Sequence, residues 1–281
     1  MILSGRYRPA LMFLIALVLA LIFVPQTQAT LLVYESFDYT AGNNVKGQNG
    51  GLGFSGTWNY AYANAEPKVA TGSLVYTNLP TAGNSAELTP SGGNHSQINR
   101  SLDSTYNSGT VYISLLATKN DGSRFFGLNL VQSGTLTGFL GQGGLATNWQ
   151  YIAASGPRYS STVSSTDGAT SLLVLKIEFG AGTGGNDKIS LFMNPTANIE
   201  PGSPSVSSTN IKIGSFNSVG LGAGWTNGVD QTTSIGKMDE IRIGTTFADV
   251  APIPEPGTAA AVFFGVALMS FAIRRRRPSH S

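Results

Sequence analysis

Apolar side chains that alternate with polar ones at every second position, segment after segment, constrain this chain more than any other feature. Ser171–Phe179 reads SLLVLKIEF, with Leu173, Leu175, Ile177 and Phe179 on one face and Lys176 and Glu178 on the other. Asp187–Met193 sets Ile189, Leu191 and Met193 against Lys188 and Ser190, and Ile235–Gly244 sets Ile241 and Ile243 against Glu240 and Arg242. A period of two is the signature of a half-buried strand. Leu31–Phe37, Ser73–Leu79, Thr110–Thr118, Arg124–Gln132, Trp149–Ala153, Ile211–Phe216 and Val219–Leu221 add further short strands. The Asn120-Asp121-Gly122 turn between two of them predicts a hairpin. Turn residues separate the runs, and 35 glycines among 281 residues supply them. The middle of the chain holds no convincing helical period. Many short strands with glycine-rich turns predict an all-β antiparallel jelly-roll sandwich over residues 30–250. Gly156–Ser171 and Pro201–Asn210, rich in Ser, Thr and Pro, read as long surface loops.

Two segments depart from this pattern. Residues 1–29 carry Arg6 and Arg8, then an apolar run from Ala10 to Val24, then Thr27-Gln28-Ala29. That order is a secretory signal peptide cleaved after Ala29, with an uncleaved membrane anchor as the alternative. Residues 251–281 hold Pro254, Glu255 and Pro256, an uncharged run at 258–273, and Arg274, Arg275, Arg276 and Arg277 at 274–277. As a helix the run is about 24 Å long, at roughly 1.5 Å per residue. That is short of a hydrocarbon core of about 30 Å, and arginine stems snorkel to make up the difference. Arginines flush against the run place the C-terminus in the cytoplasm and the sandwich outside. The two prolines make an extended spacer open to a protease.

Charge follows the same division. Residues 30–250 hold 11 Lys/Arg against 14 Asp/Glu, a net of −3, although the whole chain is +2. The basic surplus belongs to the two end segments, so no nucleic-acid-binding face is implied. No cysteine is present, so no disulfide framework exists, and about 220 residues bury a core without one.

Pro-Glu-Pro, apolar run and arginine block, in that order, resemble the PEP-CTERM sorting signal of Gram-negative bacteria that make extracellular polysaccharide. The resemblance implies an inner-membrane intermediate and an exosortase-type enzyme that recognises Pro254-Glu255-Pro256 and removes the apolar run and basic tail. It implies a destination at the cell surface or in the extracellular matrix. The stretches YESFDYTAGNNVKGQNGGLGFSGTWN, LLVLKIEFGAGTGGNDKISLFMNPTANIEP and MDEIRIGTTFADVAP are similar to secreted PEP-CTERM proteins with a concanavalin A-like (laminin G-like) core. That core hosts lectins, glycosidases and adhesive modules alike, so it implies fold rather than function.

Candidate chemistry is sparse. Hydrolysis of a glycosidic bond needs two carboxyl groups flanking it. Glu35 and Asp38 are three apart on a strand, and Asp239 and Glu240 are adjacent, so each pair is expected to point to opposite faces. The Glu-x-Asp-x-x-Glu strand of glycosidases with this fold is absent from the sequence. One histidine, His95, lies in the exported part, too few for a His-based zinc site. Asp121, Asp187 and Asp239 are candidates for calcium on an edge loop, although no D-x-D-x-D-G loop accompanies them. Trp58 alternates with Tyr60 and Tyr62, and Trp149 with Tyr151; with Trp225 these aromatics either stack on sugar rings or fill the core. The reading expected is a non-catalytic exported surface or matrix protein without cofactor. A carbohydrate-binding module for exopolysaccharide is the alternative, and a glycoside hydrolase stands further back.

Overall fold

The computed structural model describes residues 31–62, 66–89, 96–119, 124–144, 146–154, 156–224 and 235–251. The segments expected to be a signal peptide (1–29) and a sorting signal (Pro254-Glu255-Pro256, the apolar run and Arg274–Arg277) lie outside that set. Among the described residues the strands are β1 (Leu31–Glu35), β2 (Phe54–Tyr62), β3 (Lys68–Ala70), β4 (Ser85–Leu88), β5 (Ser96–Tyr106) and β6 (Thr110–Lys119). They continue with β7 (Phe125–Gln132), β8 (Thr135–Gln142), β9 (Asn148–Ala153), β10 (Arg158–Ser164) and β11 (Ser171–Glu178). β12 (Asp187–Met193), β13 (Val206–Ile211), β14 (Phe216–Gly224) and β15 (Gly236–Gly244) complete the set, and one short helix, α1 (Phe247–Val250), comes after them.

The strands form two antiparallel sheets. One has eight strands in the order β13-β12-β11-β6-β15-β4-β3, with β1 also paired to β15; the other has seven in the order β10-β9-β8-β7-β14-β5-β2. The alternation in β11 falls as expected. Leu173, Leu175 and Ile177 face the other sheet and meet Leu128, Leu140, Leu221 and their neighbours in one core. A one-residue slip would turn that whole set outward, so the pattern fixes the register.

Four expectations are corrected. β6 and β7 are not a hairpin: the first belongs to the eight-stranded sheet and the second to the seven-stranded sheet. The hairpin is β7–β8, closed by Ser133 (φ 48°) and Gly134 (φ 84°), both with the positive φ that a tight two-residue turn requires. The segments read as loops at 156–171 and 201–210 contain β10 and most of β13. Each is the edge strand of its sheet, with one neighbour and a wet face, so Ser and Thr suffice where a central strand needs apolar residues.

Ser73–Leu79 is the fourth correction. It is not a strand but part of a strap from 71 to 84 laid across the outer face of the eight-stranded sheet. Leu79, with Leu74 and Tyr76 beside it, packs on Tyr112, Leu116, Leu172, Val174 and Phe192, and on Phe247, Val250 and Ala251 from α1 and its end. α1 is held by a capping box: Thr246 Oγ1 accepts from the Asp249 amide at 3.3 Å, and Asp249 Oδ2 accepts from the Thr246 amide at 2.8 Å. Ser114 Oγ ties the helix end to the sheet by donating to the Val250 carbonyl at 2.7 Å. Covered on both sides, β6 is buried along nearly its whole length, which is why TVYISLLATK alternates so poorly.

Candidate functional site

The outer face of the seven-stranded sheet is built differently. Pairing lines up one row across it, Gln97, Gly222, Gly127, Gly141, Gln150 and Ser160, from β5 to β10. The next outward row is Asn99, Gly220, Asn129, Phe139, Ile152 and Arg158. Ile98, Leu221, Leu128, Leu140 and Tyr151 occupy the row between and point into the core.

Three glycines side by side leave a trough, and two phenylalanine rings lie down in it. A Cβ on Gly127 would come within 2.8 Å of the Phe139 ring and 2.3 Å of the Leu140 carbonyl. One on Gly222 would come within 2.9 Å of both the Phe125 ring and the Asn129 amide. Side chains at these two positions would therefore displace the rings. Phe125 and Phe139 meet edge to face, centroids 5.5 Å apart at 65°. Above them opens a cleft of about 380 Å³, lined by Gln97, Phe125, Asn129, Leu136, Phe139, Gly143, Gly144, Ile152 and Arg158. Leu136 is 40% exposed and forms an apolar lip.

One end of the cleft is polar. Arg158 Nη1 donates to the Gly144 carbonyl at 3.0 Å. Gln150 is fully buried; its Oε1 accepts from Ser160 Oγ at 3.3 Å, and its Nε2 has no hydrogen-bond partner among the described residues. Both nitrogens converge on Gly143: a Cβ there would lie 2.8 Å from Gln150 Nε2 and 3.1 Å from Arg158 Nη1. The described lining includes no Asp, Glu or His. Such a surface offers ring stacking and hydrogen-bond donors, but no pair of carboxyl groups.

The aromatics singled out in the sequence are elsewhere. Trp58 and Trp149 are 0% and 1% exposed, and Tyr151 is buried with them, so these three are core residues and not stacking platforms. Trp58 Nε1 donates to Glu35 Oε2 at 3.0 Å, and Trp149 Nε1 to Ser171 Oγ at 3.0 Å, which satisfies each buried indole. Trp225 lies outside the described residues, as do the side chains of Tyr60 and Tyr62 and the whole of His95.

The acidic candidates are structural. Glu35 is buried against Arg100 at 2.9 Å and also accepts from the Phe37 amide, the Tyr39 hydroxyl and Trp58. Burial raises its pKa, against the opposing pull of those donors and of Arg100. Arg100 sits on β5 and Glu35 on β1, so the pair joins the two sheets, with the guanidinium stacked 4.2 Å over Phe54. Asp38 is exposed beyond the end of β1. Asp239 and Glu240 do not point apart as adjacent strand residues would. Glu240 has φ 53°, and β15 slips register there against β6, so a bulge brings both carboxylates under the strap. Asp239 Oδ2 accepts from Ser73 Oγ at 2.5 Å and the Leu74 amide at 2.8 Å. Glu240 accepts from Tyr34, the Ala82 amide and Arg242. Burial pushes the Asp239 carboxyl up to about 8, aided by the adjacent Glu240 charge.

Two of the three calcium candidates, Asp187 and Asp239, already accept hydrogen bonds from the protein. Asp187 is occupied by the amides of Gly180, Ile213 and Gly214, and Asp239 by those above. Asp121 lies outside the described residues, and among those described no three metal-binding side chains gather. Sequence reading missed Phe125, Phe139 and Gln150. The signal was glycine at alternate positions, Gly220, Gly222 and Gly224 in β14, which marks a face with nothing on it.

No family model and no curated protein matches this chain. Among solved structures, domain 4 of an extracellular arabinanase from Geobacillus stearothermophilus, in complex with arabinotriose, is similar at 19% identity and TM-score 0.49, covering 81% of this chain and 99% of that one. A sialidase of Trypanosoma rangeli is similar at 10% identity and TM-score 0.43; the match covers 81% of this chain and 32% of the sialidase. The carbohydrate recognition domain of Emp46p is similar at 12% identity and TM-score 0.37, over 60% of this chain and 85% of that one.

Proposed function

We propose that this chain is exported and sorted to the cell surface or matrix of a Gram-negative bacterium, where the sandwich holds polysaccharide in the cleft without cleaving it. The cleft itself carries the binding half of this reading: partly exposed Phe125 and Leu136, with Phe139 buried beneath them, offer an apolar surface to a sugar ring, and Gln97, Asn129 and Arg158 orient it. The absence of carboxylates from its described lining supports a holding role rather than hydrolysis. Export rests on the signal pattern at 1–29, and sorting on Pro254-Glu255-Pro256 ahead of the apolar run and Arg274–Arg277. The partners are an exosortase-type enzyme, the inner membrane in passage, and the polysaccharide.

A glycan array probed with the full chain tests the binding half. Binding to a polysaccharide that Leu136→Ala measurably weakens supports the cleft. Silence across the array leaves a purely structural or adhesive module, the second reading. Mass spectrometry of surface material from the host tests the sorting half: the protein there should lack residues 259–277, and an intact tail would make the segment a plain anchor.

A further inference from the structure

The strands of the two sheets differ in acidity. Those of the eight-stranded sheet carry Glu35, Glu87, Glu178, Asp187, Asp239 and Glu240. Those of the seven-stranded sheet carry a single carboxylate, Asp103 on β5, five strands away from Arg158 on β10. Arg100, the other arginine of that sheet, is buried and committed to Glu35. Among the described residues no carboxylate pairs with Arg158, which stands at the rim of the cleft, exposed and with one contact to the Gly144 carbonyl.

Beside it stands a group that asks for a partner. A buried amide N–H without an acceptor is costly, and native proteins rarely keep one. Gln150 Nε2 is such a group, and it reaches the same glycine of the cleft wall as Arg158 Nη1. An exposed guanidinium at the end of the cleft, with no Asp or Glu in the described lining, matches an anion. A guanidinium pairs with a planar carboxylate through parallel hydrogen bonds. Ile152, the cross-strand partner of Arg158, and Phe139, the partner of Ile152, continue the apolar lining from there toward Phe125 and Leu136.

We propose that the cleft recognises acidic polysaccharide, with a uronic-acid carboxylate held by Arg158 while its ring lies on Phe125 and Leu136. This rests on the cleft reading above and narrows it. The charge makes recognition sensitive to ionic strength, since Arg158 is exposed and screened by salt.

The test is calorimetric titration of the full chain with oligogalacturonate and with alginate oligosaccharide, each beside its carboxyl-reduced neutral counterpart. At least one acidic oligosaccharide should bind about tenfold or more tightly than its reduced form, the worth of a charge-assisted hydrogen bond. Arg158→Gln should abolish that preference, and Leu136→Ala, a change at an exposed lining residue, should weaken both forms. Arg158 is a surface residue, so its variant keeps the fold; Gln150→Glu, a buried change, serves as a second arm in which like charge should repel the acidic ligand. Equal binding of acidic and reduced forms, or binding of neutral glycans alone, overturns the inference and leaves the cleft as a sugar site. An acid preference that survives Arg158→Gln overturns the placement. Failure of every glycan, here and on the array, overturns the cleft reading itself.

Discussion

The two sheets share a core but treat their outer faces in opposite ways. The eight-stranded sheet is sealed. Tyr112, Leu116, Leu172, Val174 and Phe192 are covered by the strap and α1, and the carboxylates above them are answered by strap amides or by Arg242. Among the described residues the seven-stranded sheet has no such cover: glycines, amides and two phenylalanines make its outer face. A face sealed with leucine and valine serves stability, whereas a cleft that leaves Phe125 and Leu136 partly exposed offers a surface to another occupant. The contrast locates the site more sharply than any single residue does.

The largest effects should break the sealed side. Leu175→Asp places a carboxylate between the sheets and should cost several kcal/mol, a large share of a typical stability of about 5–15 kcal/mol. Val174→Asp should cost nearly as much, because Val174 is fully buried under the strap side. Lys176→Asp should cost far less: the side chain is partly exposed and paired with Glu200 at 3.0 Å and Glu178 at 3.8 Å. Urea unfolding of the three variants reads this order, and a Val174→Asp no worse than Lys176→Asp would mean that the strap covers nothing of consequence.

Next in size is the strap itself. Phe192→Ala removes a ring that packs edge to face on Phe247, 5.5 Å between centroids, and should cost about 3–5 kcal/mol. Limited proteolysis should then cut within 71–84 first, while the core strands stay protected. Cutting at both places equally would show that strap and core unfold as one.

A smaller effect comes from pH. Asp239 is pushed from 3.8 to about 8 in the folded protein, so between these values the native state holds a proton that the unfolded chain has lost. Stability contributed by this group therefore falls as pH rises through that window. Asp239→Asn should flatten the slope of the unfolding free energy across the window from about pH 5 to about pH 8. An unchanged slope would place the titration elsewhere.

Smallest of all on stability is the open face. Leu136→Ala should shift unfolding by no more than about 0.5 kcal/mol, since the side chain is 40% exposed, yet lower glycan affinity measurably. A large stability loss with unchanged binding would make the lip a core element.

How much of this was legible in the sequence depended on whether the signal was local. Leu173, Leu175 and Ile177 announced their face because alternation is written in consecutive residues. The Ser/Thr edge strands β10 and β13 carried too little hydrophobicity to stand out from loops. Leu74, Tyr76 and Leu79 were spaced like a strand, but burying them beneath α1 rather than pairing their backbone was a tertiary choice. The cleft was the least visible. Gly222, Gly127 and Gly141 come together only through the pairing of β14, β7 and β8, and no local pattern records that register. Large aromatics drew attention to Trp58 and Trp149, which the core claimed because each indole nitrogen found a buried acceptor.

The central claim is that ligand occupies the bare sheet and not the sealed one. Hydrogen–deuterium exchange of the full chain, with and without the tightest-binding glycan of the array, tests it most directly. Protection should appear in peptides covering 125–144 and 150–160 and leave 72–82 and 112–116 unchanged. Protection confined to the strap or to β6, or none anywhere, would contradict the account.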